Sequence, residues 1–139
     1  MEHQVFNLDR VIGGENEKAL NRGIEFFSKF MERKLIHSFS LEVIELAKPV
    51  ENAYRFMEIA IAEQLRMSCE EKGIDFEELR RAASTKWNIN ILEARSGIEG
   101  KCLPKDIRLI NEFFSENELF KRGYEFNEEY KKWFLKKNK

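Results

Sequence analysis

A helical pattern that begins after Ser40 and meets no stop until Gly73 constrains this chain more than any other feature. Ser40 fits an N-cap, and Pro49 is tolerable only near a first turn or at a kink, so the unbroken portion is read as Pro49 to Lys72. At 1.5 Å per residue that portion is roughly 36 Å long, whereas a compact chain of this size has a radius of gyration of roughly 14 Å. Such a helix crosses the whole domain. Val50, Tyr54, Met57, Ile61 and Leu65 form one apolar stripe, which places Met57 and Ile61 in the core. Phe56, Ile59, Ala60 and Met67 widen it towards a second face, and Glu51, Arg55, Glu58, Arg66 and Glu70 leave only a narrow polar strip. A helix that is apolar around most of its circumference has to be covered on two sides, here by its own chain and by a second copy, so a homodimer is expected.

Shorter elements surround it. Val5 to Val11 reads as an extended segment ended by Gly13-Gly14, and Asn16 to Arg33 carries Leu20, Ile24, Phe27 and Met31 at helical spacing. Leu35 to Phe39 reads as a second strand, giving a β-α-β order whose strands are parallel. Asp75 with Glu78 has the capping-box spacing and opens a helix to about Thr85. A glycine-containing loop from Glu93 to Pro104 precedes a helix from Asp106 to Phe114. Ser115 with Glu118 caps a last helix carrying Leu119, Phe126, Tyr130 and Trp133, with a basic end from Lys131 to Lys139. The expected fold is mainly α: a helical domain over residues 41–139 built on one long central helix, with a small β-α-β piece over residues 1–40.

Charge narrows the function. With 24 basic and 25 acidic side chains the formal net charge is -1, which speaks against broad binding to nucleic acid or to an anionic membrane. No stretch reaches the roughly 18 to 20 apolar residues of a membrane span, and Met1 to Arg10 is too polar for a signal peptide, so a cytoplasmic protein is expected. Cys69 and Cys102 cannot make a disulfide framework, and no zinc-type spacing accompanies them, so no metal is expected. Cys102 nevertheless sits between Lys101 and Lys105, close after Gly97 and Gly100 and just before a helix, where positive charge and backbone N–H groups favour a thiolate. Cys69 reads as a small apolar residue packed on the long helix.

Three runs carry a resemblance. Glu45-Leu-Ala-Lys48-Pro-Val-Glu-Asn52-Ala-Tyr-Arg-Phe-Met-Glu-Ile-Ala60, then Cys69-Glu-Glu-Lys-Gly73-Ile-Asp75, then Cys102-Leu-Pro-Lys-Asp106 together resemble the UDP-glucose/GDP-mannose dehydrogenase family over roughly Val11 to Tyr124. The matching parts are the end of that family's NAD-binding domain and its central, dimer-forming helical domain. The resemblance implies an NAD-dependent, four-electron oxidation of a nucleotide-sugar alcohol to a carboxylate. Cys102 takes the place of the cysteine that captures the intermediate aldehyde as a thiohemiacetal, which makes covalent catalysis the expected chemistry. Lys48 and Asn52 match a lysine and asparagine that hold the developing oxyanion and a water, and Asp106 matches an aspartate that positions and helps activate water. Gly97 and Gly100 match glycines of a substrate loop, and Lys86 falls where relatives carry an arginine that reaches substrate in the neighbouring subunit.

Glu99, Ala62 and Pro49 depart from the family pattern. A positive φ at Glu99 would cost roughly 1 kcal/mol. Gly13-Gly14 lacks the G-x-G-x-x-G spacing of a dinucleotide-binding turn, so NAD is implied by the resemblance while its binding domain is not expected within this chain. The expected function is therefore the central domain of a nucleotide-sugar 6-dehydrogenase, a fragment or a subunit working with chains that supply the nucleotide-binding domains. The alternative is a stand-alone dimerisation module that kept the fold without the chemistry.

Overall fold

The structure, a computed structural model, describes residues 7–138. The described chain contains two short parallel strands and five α-helices, and it divides into two compact units that part at Lys48 and Pro49, inside the long helix rather than at residue 40.

In the first unit, β1 (Arg10–Ile12) pairs in parallel with β2 (Ile36–Ser38), Val11 opposite His37. Val5 and Phe6 of the expected first strand lie outside the described residues. Between the strands runs α1 (Glu17–Phe27), capped by Asn16, whose side-chain oxygen accepts the Ala19 N–H at 2.9 Å. The spacing predicts a helix to Arg33, but α1 ends at Phe27, and the Phe30 and Met31 N–H groups both turn back onto the Phe27 carbonyl. The early stop lets the chain return through a 3-10 turn at Arg33–Leu35 in time to lay Ile36 beside Arg10. Ile12, Met31 and Ile36 form the buried centre, covered by Leu20, Ile24, Phe27 and Leu35. Gly13 and Gly14 serve this packing: a Cβ on Gly14 would fall 2.6 Å from the Leu20 nitrogen, and one on Gly13 2.8 Å from Ile44 Cγ1.

The long helix α2 (Leu41–Lys72) is one element, with Pro49 in its interior. Its start is capped weakly by Ser40, whose Oγ accepts the Val43 N–H at 3.4 Å. Its end is a Schellman motif. Gly73 takes φ +68°, its N–H reaches the Glu70 carbonyl, and the Ile74 N–H reaches the Cys69 carbonyl at 2.9 Å.

The second unit packs α2 from Pro49 onward with three further helices, α3 (Phe76–Ala83), α4 (Cys102–Phe113) and α5 (Glu118–Lys137). Asp75 caps α3 as expected, accepting the Glu78 N–H at 2.9 Å. Two other boundaries differ. The fourth helix starts at Cys102, four residues earlier than the spacing suggests, because Pro104 falls in its first turn, where a missing N–H costs nothing. Asn117 rather than Ser115 precedes α5, and its amide donates to the Ile110 carbonyl and to Asn111 Oδ1, tying the two helices together.

The faces of α2 are also exchanged. Ala53, Phe56, Ile59 and Ala60 are buried against Ile98, Ile107, Ile110, Phe126 and Tyr130, so the stripe read as secondary is the core face. Val50, Tyr54 and Ile61 on the other stripe are 43%, 63% and 54% exposed. The partners decide this: α4 and α5 supply branched and aromatic side chains to only one side. Cys69 is buried with Ala62 and Phe76, the small apolar residue the sequence suggests.

Phe56→Ala is expected to cost about 3 to 5 kcal/mol in urea unfolding, because a fully buried ring leaves a cavity. Gly73→Ala is expected to cost only about 1 kcal/mol, the strain of a left-handed Cβ. Equal losses for the two variants would contradict the assigned core.

Candidate active site

Cys102 is the first residue of α4 and is exposed. One turn later on the same helix stands Asp106, which is buried. Its two oxygens have separate partners: Asn52 of α2 donates its amide to Oδ2 at 2.5 Å, and Lys105 places its ammonium 3.0 Å from Oδ1. Of the residues singled out from sequence, Asn52 and Asp106 are thus brought into direct contact across two helices, on the α4 face that leads to Cys102. Lys48 is an exposed residue of α2 in the first unit, with a partner of its own. Lys86 is exposed in the turn after α3.

The segment leading to Cys102 is held with unusual completeness by side chains that sequence reasoning passed over. Tyr130 of α5 donates its hydroxyl to the Arg95 carbonyl at 2.8 Å. Glu63 of α2 accepts the Gly97 N–H at 3.0 Å. Asn127 of α5 accepts the Ile98 N–H at 2.7 Å and donates back to the Ile98 carbonyl at 3.3 Å. Ile98 itself is inserted in the main core. Four residues after Ile98, α4 begins at Cys102. Burial pushes the Tyr130 phenol up to about 12, so it stays a donor throughout the neutral range.

Gly97 and Gly100 take φ +105° and +91°, which other residues reach only with strain. A Cβ on Gly97 would meet the Lys131 side chain, whose stem lies across that turn, while Gly100 faces open space. Glu99 is exposed and keeps a negative φ, so the strain foreseen for a side chain there does not arise.

Glu63 is the most unusual group. It has no solvent exposure, and its Oε2 is enclosed without a hydrogen bond. Burial pushes its carboxyl up to about 7, against the opposing pull of the Gly97 and Arg95 N–H groups and of the Lys131 and Arg66 charges. The signal was present in the sequence: Phe56, Ile59, Ala60 and Glu63 follow the spacing of one helix face, as do Gly123, Phe126, Asn127 and Tyr130. A lone polar group on each of two core stripes marks the places where something inside needs a partner.

A family model for the central domain of the UDP-glucose/GDP-mannose dehydrogenase family matches residues 42–129. The chain belongs to that family. A UDP-N-acetyl-D-mannosamine dehydrogenase of Yersinia pestis is 36% identical over 98 residues, 70% of this chain and 23% of that protein. One of Methanocaldococcus jannaschii is 32% identical over 120 residues, 86% of this chain and 28% of its own. The solved UDP-D-ManNAc dehydrogenase of Pyrococcus horikoshii superposes with a TM-score of 0.80 at 29% identity, over 91% of this chain and 30% of that one. The chain spans about a quarter of the length of the curated relatives it matches. The matched region holds Asn52, Cys102, Asp106 and residues 95–98 with Glu63 and Asn127, and ends one residue before Tyr130. Among the described residues no helix is long and apolar enough to cross a membrane.

The folded value of the Glu63 carboxyl lies above its unfolded value of 4.5, so the folded state binds the proton more tightly. Its contribution therefore falls as pH rises from 4.5 through about 7, to a cost of roughly 3 kcal/mol once the group is ionised. Glu63→Gln is expected to gain on the parent chain in thermal stability between pH 5 and pH 8, and melts of the two that keep a constant gap would contradict the assignment.

Proposed function

We propose that this chain is the central domain of a nucleotide-sugar dehydrogenase and carries its nucleophile and water-handling groups. The observation that carries the reading is an exposed Cys102 at the start of a helix, one turn from a buried Asp106 that Asn52 grips. A thiolate there benefits from the N-terminal end of α4 and from Lys101 and Lys105. It adds to the carbonyl carbon of a sugar 6-aldehyde: the sulfur–carbon bond forms, the π pair moves to oxygen, and that oxygen takes up a proton to give a thiohemiacetal. Lys48 and Asn52 are assigned to the oxyanion and a water, and Asp106 to orienting that water as a general base. Gly100, exposed and facing open space, lets the backbone approach the sugar, whereas Gly97 is buried under the Lys131 stem and shapes the turn, and Lys86 is assigned to substrate in a neighbouring copy. The relatives named above make a UDP-N-acetylhexosamine the favoured substrate.

The residues present do not fit the dinucleotide that the family implies. Gly13-Gly14 follows a strand and precedes α1, as a phosphate-binding turn would, but neither glycine has a positive φ and the space a Cβ would take is filled by Leu20 and Ile44. NAD is therefore assigned to residues other than those described.

A homodimer is the proposed assembly. Val50, Tyr54 and Ile61 form an uncovered stripe on α2, beside a groove lined by Met57, Leu65, Leu119 and Phe126. A second α2 placed against this stripe would bury it. Light scattering at micromolar concentration is expected to show a dimer, and Ile61→Asp a folded monomer. A monomeric parent chain would overturn the assembly.

The pure chain is expected neither to bind NAD in calorimetry nor to reduce it with a UDP-sugar, since positioning a hydride donor against its acceptor is worth roughly 7 to 11 kcal/mol of barrier. The 6-aldehyde of the UDP-sugar should still slow alkylation of Cys102, and that protection should weaken in Asn52→Ala, which removes a donor assigned to the oxyanion. Alkylation untouched by the aldehyde would favour a dimerisation module without chemistry.

A further inference from the structure

The mechanism above leaves Glu63 unused, yet it is the only fully buried carboxylate among the described residues that bonds the segment running into Cys102. Its position is not explained by packing, because one oxygen is enclosed without a hydrogen bond, and a leucine or glutamine of similar volume would fill the space at lower desolvation cost. What a carboxylate offers over a neutral acceptor is a charge-assisted bond, here from the Gly97 N–H at 3.0 Å, whose strength changes with the charge of the group. Gly97 is the point where such a bond has leverage. Its φ of +105° sets the turn, the Lys131 stem closes over it, and only Glu99, Gly100 and Lys101 separate the clamped Ile98 from Cys102.

We infer that Glu63 is a positioning residue, whose ionisation tightens the Gly97 turn and thereby sets the placement of the Cys102 sulfur. The charged and titratable groups facing the carboxyl are Arg66 on its own helix and Lys131 and Tyr130 on α5. Lys131 also donates to Glu128 at 3.0 Å and Arg66 to Glu70 at 3.2 Å, so neither cation is committed to Glu63 alone. With Tyr130 protonated in the neutral range, Glu63 is the group in this cluster that changes charge near pH 7. Ionised, it holds the turn; protonated, it keeps a weaker acceptor and the turn loosens while Asn127 and Tyr130 retain the flanking residues. The inference rests on reading Cys102 as the nucleophile for its catalytic meaning, but the coupling itself is a property of the folded chain.

The test follows the amide resonances of Gly97 and Cys102, together with the iodoacetamide rate of Cys102 per thiolate, from pH 5.5 to 8.5 in a Cys69→Ala background. The expected result is one shared inflection near 7 in all three, which vanishes in Glu63→Gln while the circular dichroism spectrum is kept. An inflection at Gly97 that leaves Cys102 unmoved would overturn the inference and reduce Glu63 to a structural anchor. So would a Cys102 inflection that survives in Glu63→Gln. The titration of the Cys69→Ala chain needs no change at Glu63, so a Gln chain that failed to fold would still leave the shared inflection to decide. Because neither readout uses a sugar or a cofactor, failure of the aldehyde capture proposed above and failure of this coupling are separately visible.

Discussion

A polypeptide that crosses a core without secondary structure must find partners for its N–H and C=O groups, and residues 95–98 do so through side chains from two helices. Glu63, Asn127 and Tyr130 together take the Arg95 carbonyl, the Gly97 N–H and both polar groups of Ile98. Each of the three comes from a helix face that is otherwise apolar, so the hydrogen bonds form in a low dielectric where losing one is expensive. Ile98 adds its side chain to the same core. The start of α4, and with it Cys102, is fixed by this arrangement at one end and by Ile107 and Ile110 at the other.

The same arrangement explains why α2 can be so long. One face from Ala53 to Ala60 is committed to α4, α5 and the clamped segment, and Glu63 continues that face into the polar clamp. Asn52, a little earlier on the helix, uses the same neighbourhood to meet Asp106. The candidate chemistry and the core thus share a single helix, and each buried carboxyl ties it to a part of the chain next to the cysteine: Glu63 accepts the Gly97 N–H through one oxygen, and Asp106, one turn after Cys102, accepts from Asn52. The opposite stripe, free of any such task within the second unit, remains exposed.

Much of this was legible in the sequence, and the misses have physical causes. The long helix, its Gly73 stop, the Asp75 cap, the parallel strands and Cys69 as a packed residue all follow from local rules of spacing and capping. Which stripe of α2 faces inward did not, because two stripes of similar hydropathy are told apart only by what α4 and α5 present to them. The spacing places the start of α4 late because Pro104 reads as loop outside a helix's first turn. Asn52 and Asp106 lie far apart in sequence, and only the resemblance to a family paired them; the structure then supplied the bond. Tyr130 reads from sequence only as one more apolar position of its helix, and Glu63 and Asn127 do not stand out, because a polar residue inside an apolar stripe looks like noise until the backbone segment it serves is located.

Amide hydrogen exchange, read residue by residue on the intact chain at neutral pH, tests the clamp most directly. If residues 95–98 are held as described, the Gly97 and Ile98 amides exchange as slowly as those of Phe56 and Ile59 in the middle of α2, although they belong to no helix or strand. Glu99 and Gly100, exposed and three residues or fewer from Cys102, exchange faster by orders of magnitude. Gly97 and Ile98 exchanging as freely as Gly100 would mean that the segment opens on its own and that Cys102 is not positioned by the buried side chains beneath it.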